Sequence, residues 1–217
     1  MVSSPFAVDF GDLPSQLPIF PLANALLLPG GQLPLNIFEP RYLEMCQYVL
    51  TTPTRMIGMI QTSMQEGEDD LFRIGCAGRI SFFQETDDNR LMISLDGICR
   101  FRLVDDVVQD GGFRLANIRW DDFAADMTQD ELALEKEPLL AIMRRYFEIK
   151  GFDADWENIE RAEDVQLLTT LAMVCPFDVS EKQALLEAET LNARADLLIA
   201  MMQMAIHGEE STYESRH

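Results

Sequence analysis

Histidine is almost missing: the chain's 217 residues include two, His207 and His217. A histidine general base or a histidine-rich metal cluster therefore has little material to draw on. Lysine is nearly as scarce, with only Lys136, Lys150 and Lys182, none in a serine–lysine catalytic setting. None of the 12 glycines precedes a lysine, which excludes the Gly-Lys-Ser/Thr loop that cradles nucleotide phosphates. There is no Gly-x-Ser-x-Gly elbow either. Cys46, Cys76, Cys99 and Cys175 lie far apart and form no Cys-x-x-Cys pair, so zinc is not expected. Each sits in an apolar pattern, as a small buried hydrophobe in a reducing compartment would. No apolar run reaches the roughly 18 residues of a membrane span. The start, Met-Val-Ser-Ser-Pro, lacks the basic and apolar blocks of a secretory signal. These absences predict a cytoplasmic protein with no cofactor, no metal and no membrane partner.

Basic charge is short overall. The net charge is −20, from 17 basic and 37 acidic residues. It is unevenly spread: −5 through Leu103 and −15 from Val104 onward. Such a field repels polyanions and argues against a nucleic-acid partner. The paired acids Asp69-Asp70, Asp87-Asp88, Asp105-Asp106 and Asp121-Asp122 fall at turns and strand ends, where solvated turn residues are expected. Hydrophobic content of 47% suffices for one good core or two small ones.

The chain is organised around Leu33-Pro-Leu-Asn-Ile-Phe-Glu-Pro-Arg-Tyr-Leu-Glu-Met45. Leu33, Leu35 and Ile37 alternate as in a strand, and Tyr42, Met45, Cys46 and Val49 recur as on a helix face. The period switches at Glu39-Pro40. Proline suits the first helical turn, and Glu39 places an acid at the positive end of the helix dipole. Glu39 and Arg41 are expected to orient the helix start, and Thr51-Thr52-Pro53 to end the helix.

Leu17-Pro-Ile-Phe-Pro-Leu22, Leu28-Pro29-Gly30, Leu33-Pro-Leu35 and Ile37-Phe-Glu39-Pro40-Arg41-Tyr42 resemble the signature of the Lon protease N-terminal, substrate-binding domain. The same domain type occurs in cereblon. The resemblance extends through Gly97-Ile-Cys-Arg-Phe101, Pro176, Glu181-Lys-Gln183, Leu185-Leu186 and Arg194, over roughly residues 15–206. It implies an α+β fold: a mostly antiparallel β pseudo-barrel of the PUA-like type holding one helix, then a helical bundle. On that basis the expected subdomains are 1–123 and 124–207, with a flexible tail at 208–217. The resemblance implies no catalytic residues, because Lon carries its ATPase and protease machinery downstream.

Other elements follow from pattern alone. Leu26–Gly31 reads as a strand ending in a turn, Arg55–Gln61 as a buried strand, and Gln65–Asp70 as an acidic loop. The central hairpin can be registered by arithmetic. A four-residue loop, Thr86–Asn89, pairs Glu85 with Arg90, Phe83 with Met92, Phe82 with Ile93 and Ile80 with Leu95. Ile80, Phe82, Leu91, Ile93 and Leu95 then face the core. A three-residue turn at Asp96-Gly-Ile98 leads into a strand with Cys99, Phe101 and Leu103 inward and Arg100 and Arg102 outward. A last hairpin turns at Asp110-Gly-Gly112. Helix starts are marked by Thr128-x-x-Glu131 and Ser180-x-x-Gln183. Pro138 is expected to kink or divide the first of these helices. A terminal helix is expected from Leu191 to Ile206.

Phe83, Met92 and Arg102 thus form one predicted row across three strands. Two environments fit it: cover by helices or another strand, or exposure as an apolar anchor beside a cation. The function expected is non-catalytic recognition of unfolded or peptide segments of other proteins, with a protease or its clients among the partners. A monomer or weak dimer is expected. The competing reading, an RNA-binding PUA-like protein, needs a basic face that −20 does not favour.

Overall fold

The longest strand, β5 (Leu91–Val108), carries the sheet. Around it run β1 (Gln16–Pro21), β2 (Gln32–Ile37), β3 (Met56–Ile60), β4 (Ile74–Glu85) and β6 (Arg114–Arg119). The computed structural model describes residues 8–63, 70–128 and 132–214. The strand order is β2-β5-β4-β3-β1-β6, and β5 also pairs with β6. Strands β5, β4, β3, β1 and β6 therefore close into a ring, with β2 added beside the first part of β5. Only β1 and β3 run parallel among the paired strands. One helix, α1 (Pro40–Thr51), is inserted between β2 and β3. The helices α2 (Lys136–Lys150), α3 (Trp156–Arg161), α4 (Asp164–Val174), α5 (Val179–Glu187) and α6 (Leu191–Glu214) follow the barrel. The architecture is α+β, and one continuous apolar core runs from Leu17 to Ile206.

The switch at Glu39-Pro40 is where its chemistry places it. Pro40 is the first helical residue, and the Glu39 carbonyl accepts from the Tyr42 and Leu43 N–H groups at 3.0 Å. Tyr42, Met45, Cys46 and Val49 are all buried. Gly30 has φ +75°, as the expected turn requires.

Several local expectations are corrected. Leu26–Leu28 is buried but forms no strand. It crosses β5 at Gly97, where an added Cβ would lie 2.0 Å from the Leu28 carbonyl oxygen. Gly97 also donates to the Gly31 carbonyl at 2.8 Å and accepts from Gly30 at 2.9 Å. It therefore marks a close backbone approach rather than a turn, and β5 continues through Asp96-Gly-Ile98 with a bulge at Ile98. In the central hairpin, Thr86 N–H bonds the Arg90 carbonyl and Asn89 has φ +60°. The loop is the three residues Asp87-Asp88-Asn89, and the ladder slips by one, pairing Glu85 with Leu91 and Phe83 with Ile93. A second bulge, at Ser81, restores Ile80 opposite Leu95. The slip turns Phe82 out of the core, to 50% exposure.

Among the helices, Pro138 lies in the first turn of α2, where it removes no helical hydrogen bond, so the helix is neither kinked nor divided there. The first capping motif extends to Glu131, outside the described residues, as does most of the acidic loop at 65–70. The capping box of α5 is Asp178 with Glu181, two residues before the expected pair. Helix α6 runs on past Ile206 to Glu214.

Candidate functional site

The organising stretch lines a cleft of about 420 Å³. Ile19 and Phe20 of β1, Ile37 of β2 and Tyr42 of α1 supply its apolar floor, with Phe113 from the β5–β6 turn. The Phe20 and Tyr42 rings are 4.0 Å apart between centroids. The rim is polar, with Asn36, Glu39, Arg41, Thr62 and Arg114. Glu39 accepts from Arg41 Nε at 3.0 Å, and the Arg41 guanidinium lies 4.6 Å over the Tyr42 ring. Arg41 is thus held flat against the cleft by an acid two residues away. Arg114 is fixed in turn by Asp106 at 2.5 Å, and both side chains are largely buried. An apolar floor inside a ring of immobilised polar groups suits a peptide side chain or another small apolar group.

The hairpin rises beside this cleft. Met92 stands opposite Gln84 on one side and Asn36 on the other, so these three share a face. Phe82, opposite Ser94, is on the same face. Phe38 lies two residues beyond Asn36, under the Arg90 guanidinium at 5.7 Å. Phe38, Phe82 and Met92 are exposed by 61%, 50% and 39%. They make an apolar row across β4, β5 and the end of β2, and Phe38 also lines the cleft.

This row replaces the predicted one. Phe83 is 50% exposed, which selects exposure over cover, but it opposes Ile93 and so faces away from Met92. Arg102 lies on the same strand as Met92 and ten residues further along, roughly 30 Å at strand spacing. There it pairs with Asp122 at 2.7 Å. The structure therefore separates all three residues. Pro29 and Gly30 lie at a different cavity, described below, while Glu39, Arg41 and Tyr42 line the cleft. Arg100 was expected outward. It does point away from the barrel, but it is 4% exposed, because the 3-10 segment Asp121–Met127 and the end of α5 cover it. Phe82 could have been found only from the bulge and loop geometry, which no spacing rule encodes, whereas the alternation that buries Ile37 already turns Phe38 outward.

Burial pushes the thiols of Cys46, Cys99 and Cys175 up to about 12, and that of Cys76 well above its ordinary value. Such thiols are not nucleophiles at neutral pH. Among the described residues no three His, Cys, Asp or Glu side chains gather as metal ligands, and no helix is long and apolar enough to cross a membrane.

Solved structures share this fold. The Lon N-terminal domain protein from Xanthomonas campestris superposes with a TM-score of 0.60 at 26% identity, covering 86% of this chain and 98% of its own. The N-terminal domain of the Mycobacterium avium complex Lon protease has the same fold, with a TM-score of 0.60 at 15% identity. Lon protease 2 of Myxococcus xanthus is 26% identical over 213 residues, which is 93% of this chain and 25% of the relative. The Lon protease of Cytophaga hutchinsonii is 28% identical over 92% of this chain, again 25% of the relative. The chain spans about a quarter of the length of these curated relatives. With residues 16–204 matching its profile, the chain belongs to the family of the ATP-dependent protease La (LON) substrate-binding domain.

Proposed function

We propose that the chain is a non-catalytic recognition module that holds extended or unfolded segments of other proteins. The observation that carries this is the exposed row Phe38–Met92–Phe82 running into the apolar-floored cleft. Large apolar side chains grouped on one face are costly to leave in water, and such patches mark contact sites. Aromatics and a flexible methionine adapt to varied partners, as a receptor for unfolded chains must. The net charge of −20 favours clients with apolar residues flanked by basic ones and disfavours RNA. Through such binding the module serves protein quality control, presenting clients to a proteolytic partner.

The test is site-specific photocrosslinking to reduced, S-carbamidomethylated lysozyme, used as an unfolded basic probe. A photoreactive residue is placed at Phe38, at Phe82, or at Val174, an exposed apolar position on α4. Crosslinks at the first two positions and none at Val174 are expected. Equal crosslinking at all three would mean that the row is not a site.

A further inference from the structure

A second cavity, of about 620 Å³, lies where the barrel meets the helices. Arg100 and Arg194 reach it, and both are at least nine-tenths buried, at 4% and 3% exposure. Arg100 has a partner at each of its three nitrogens. Asp126 accepts from its Nε and Nη2, and the carbonyls of Leu186 and Ala188 accept from Nη1. Arg194 is not. Its Nε donates to the Leu185 carbonyl at 2.9 Å, and neither Nη has a partner among the described residues. Those Nη groups are not sealed in, since among the described residues the one fully buried side-chain polar atom without a partner is Gln61 Oε1. They open on the cavity.

The charge balance at its base is uneven: two buried guanidiniums share one buried carboxylate, Asp126. An unpaired buried cation is costly, and an anion would relieve it. The site adds further attraction. Arg194 lies in the first turn of the 24-residue α6, whose N-terminus Thr190 caps by accepting from the Ala193 N–H at 3.1 Å. The other charges lining the cavity are Glu163 and Glu189, both exposed at the rim.

We propose that this cavity binds a carboxylate group whose carrier also bears a positive charge. Arg194 presents the planar fork that matches two carboxylate oxygens, and the rim glutamates take the cation. Two sources share this chemistry: a free amino acid, and a peptide chain end with a basic final residue. The site lies apart from the cleft and does not depend on it.

The experiment follows the side-chain Nε–H resonance of Arg194 in the full chain by NMR, at constant ionic strength. The probes are sodium chloride, sodium acetate, glycine, acetyl-Gly-Gly-Lys and its C-terminal amide. Saturable shifts with the carboxylates, and none with chloride or the amide, are expected. If acetyl-Gly-Gly-Lys binds tighter than glycine, the ligand is a chain end; the reverse order identifies a free amino acid. Arg194→Lys keeps the charge but loses the fork, and should weaken binding about tenfold, read in that variant at the neighbouring Ala193 backbone amide. Glu163→Gln with Glu189→Gln alters only the exposed rim. It should weaken acetyl-Gly-Gly-Lys and leave acetate unchanged or tighter, whether or not Arg194→Lys folds. Shifts that never saturate, or that match those from chloride or the amide, would overturn the proposal.

Discussion

Replacing Phe83 by serine separates the structure from the alternative in which the hairpin is covered. A phenylalanine side chain carries about 200 Å² of surface. At 50% exposure Phe83 hides about half of that, or roughly 100 Å². At about 25 cal/mol per Å² the loss is at most roughly 2.5 kcal/mol, and less once the residual compactness of the unfolded chain is counted. Phe101, wholly buried, is the internal standard, and its truncation to alanine should cost roughly 3–5 kcal/mol. Urea denaturation of both variants reads the difference as a shift in midpoint. Phe83→Ser should unfold distinctly later than Phe101→Ala. Equal midpoints would refute the exposed hairpin and the register that produces it. Phe83 also faces away from Met92. Phe82→Ser should therefore weaken binding of the unfolded lysozyme probe by about 1 kcal/mol or more, and Phe83→Ser by less. The opposite order would move the contact surface to the other face.

Gly97→Ala forces a Cβ to within 2.0 Å of a backbone oxygen and disturbs two backbone hydrogen bonds. A loss of about 2–5 kcal/mol in urea unfolding is expected, and an unchanged midpoint would show that Leu26–Leu28 does not cross there. Asp126→Asn leaves the buried Arg100 guanidinium without its carboxylate and should cost about 3–5 kcal/mol. Arg100→Met with Asp126→Leu should cost less than either single change, as double-variant unfolding would reveal. Raised thiol pKa values mean that the folded chain holds more protons than the unfolded one between about pH 9 and about pH 12. Stability should therefore fall as pH rises through that window. Burial, then Arg100, lower the Arg194 pKa to about 10, which acts in the opposite direction but at one group against several thiols. Midpoints that stay flat from pH 8 to pH 11 would contradict the burial of the cysteines.

Sequence reading succeeded where one local rule decides the backbone. The start of α1 needs only Pro40 at the first helical position, and Gly30 adopts positive φ where the chain must turn. It failed where two rules compete for the same residues. Asp96-Gly-Ile98 has turn chemistry, yet Gly97 is needed because Leu28 passes against it. A glycine that permits a turn and a glycine that admits a neighbouring backbone look identical in one dimension. Pro138 is similar, because its meaning depends on whether the helix starts just after Thr128 or at Lys136. Arg100 alternates as an outward residue should, and its burial comes from elements more than 20 positions away.

The candidate site depended on register, which is why it was only half legible. Its constituents were at hand: an exposed phenylalanine and methionine on the central hairpin, beside the Glu39–Tyr42 motif. Their grouping turned on the loop holding three residues instead of four. Side chains alternate with a period of two, so one residue of slip exchanges the roles of Phe82 and Phe83. That slip would also bury the wrong set along the rest of the hairpin. The Ser81 bulge prevents this by absorbing the extra residue, and its hydroxyl donates to Asp96 Oδ1 at 2.9 Å. The bulge thus lets Ile80 and Leu95 remain in the core while Phe82 turns out toward Met92 and Phe38. An irregularity of one residue in β4 keeps the barrel intact and directs an aromatic to the surface.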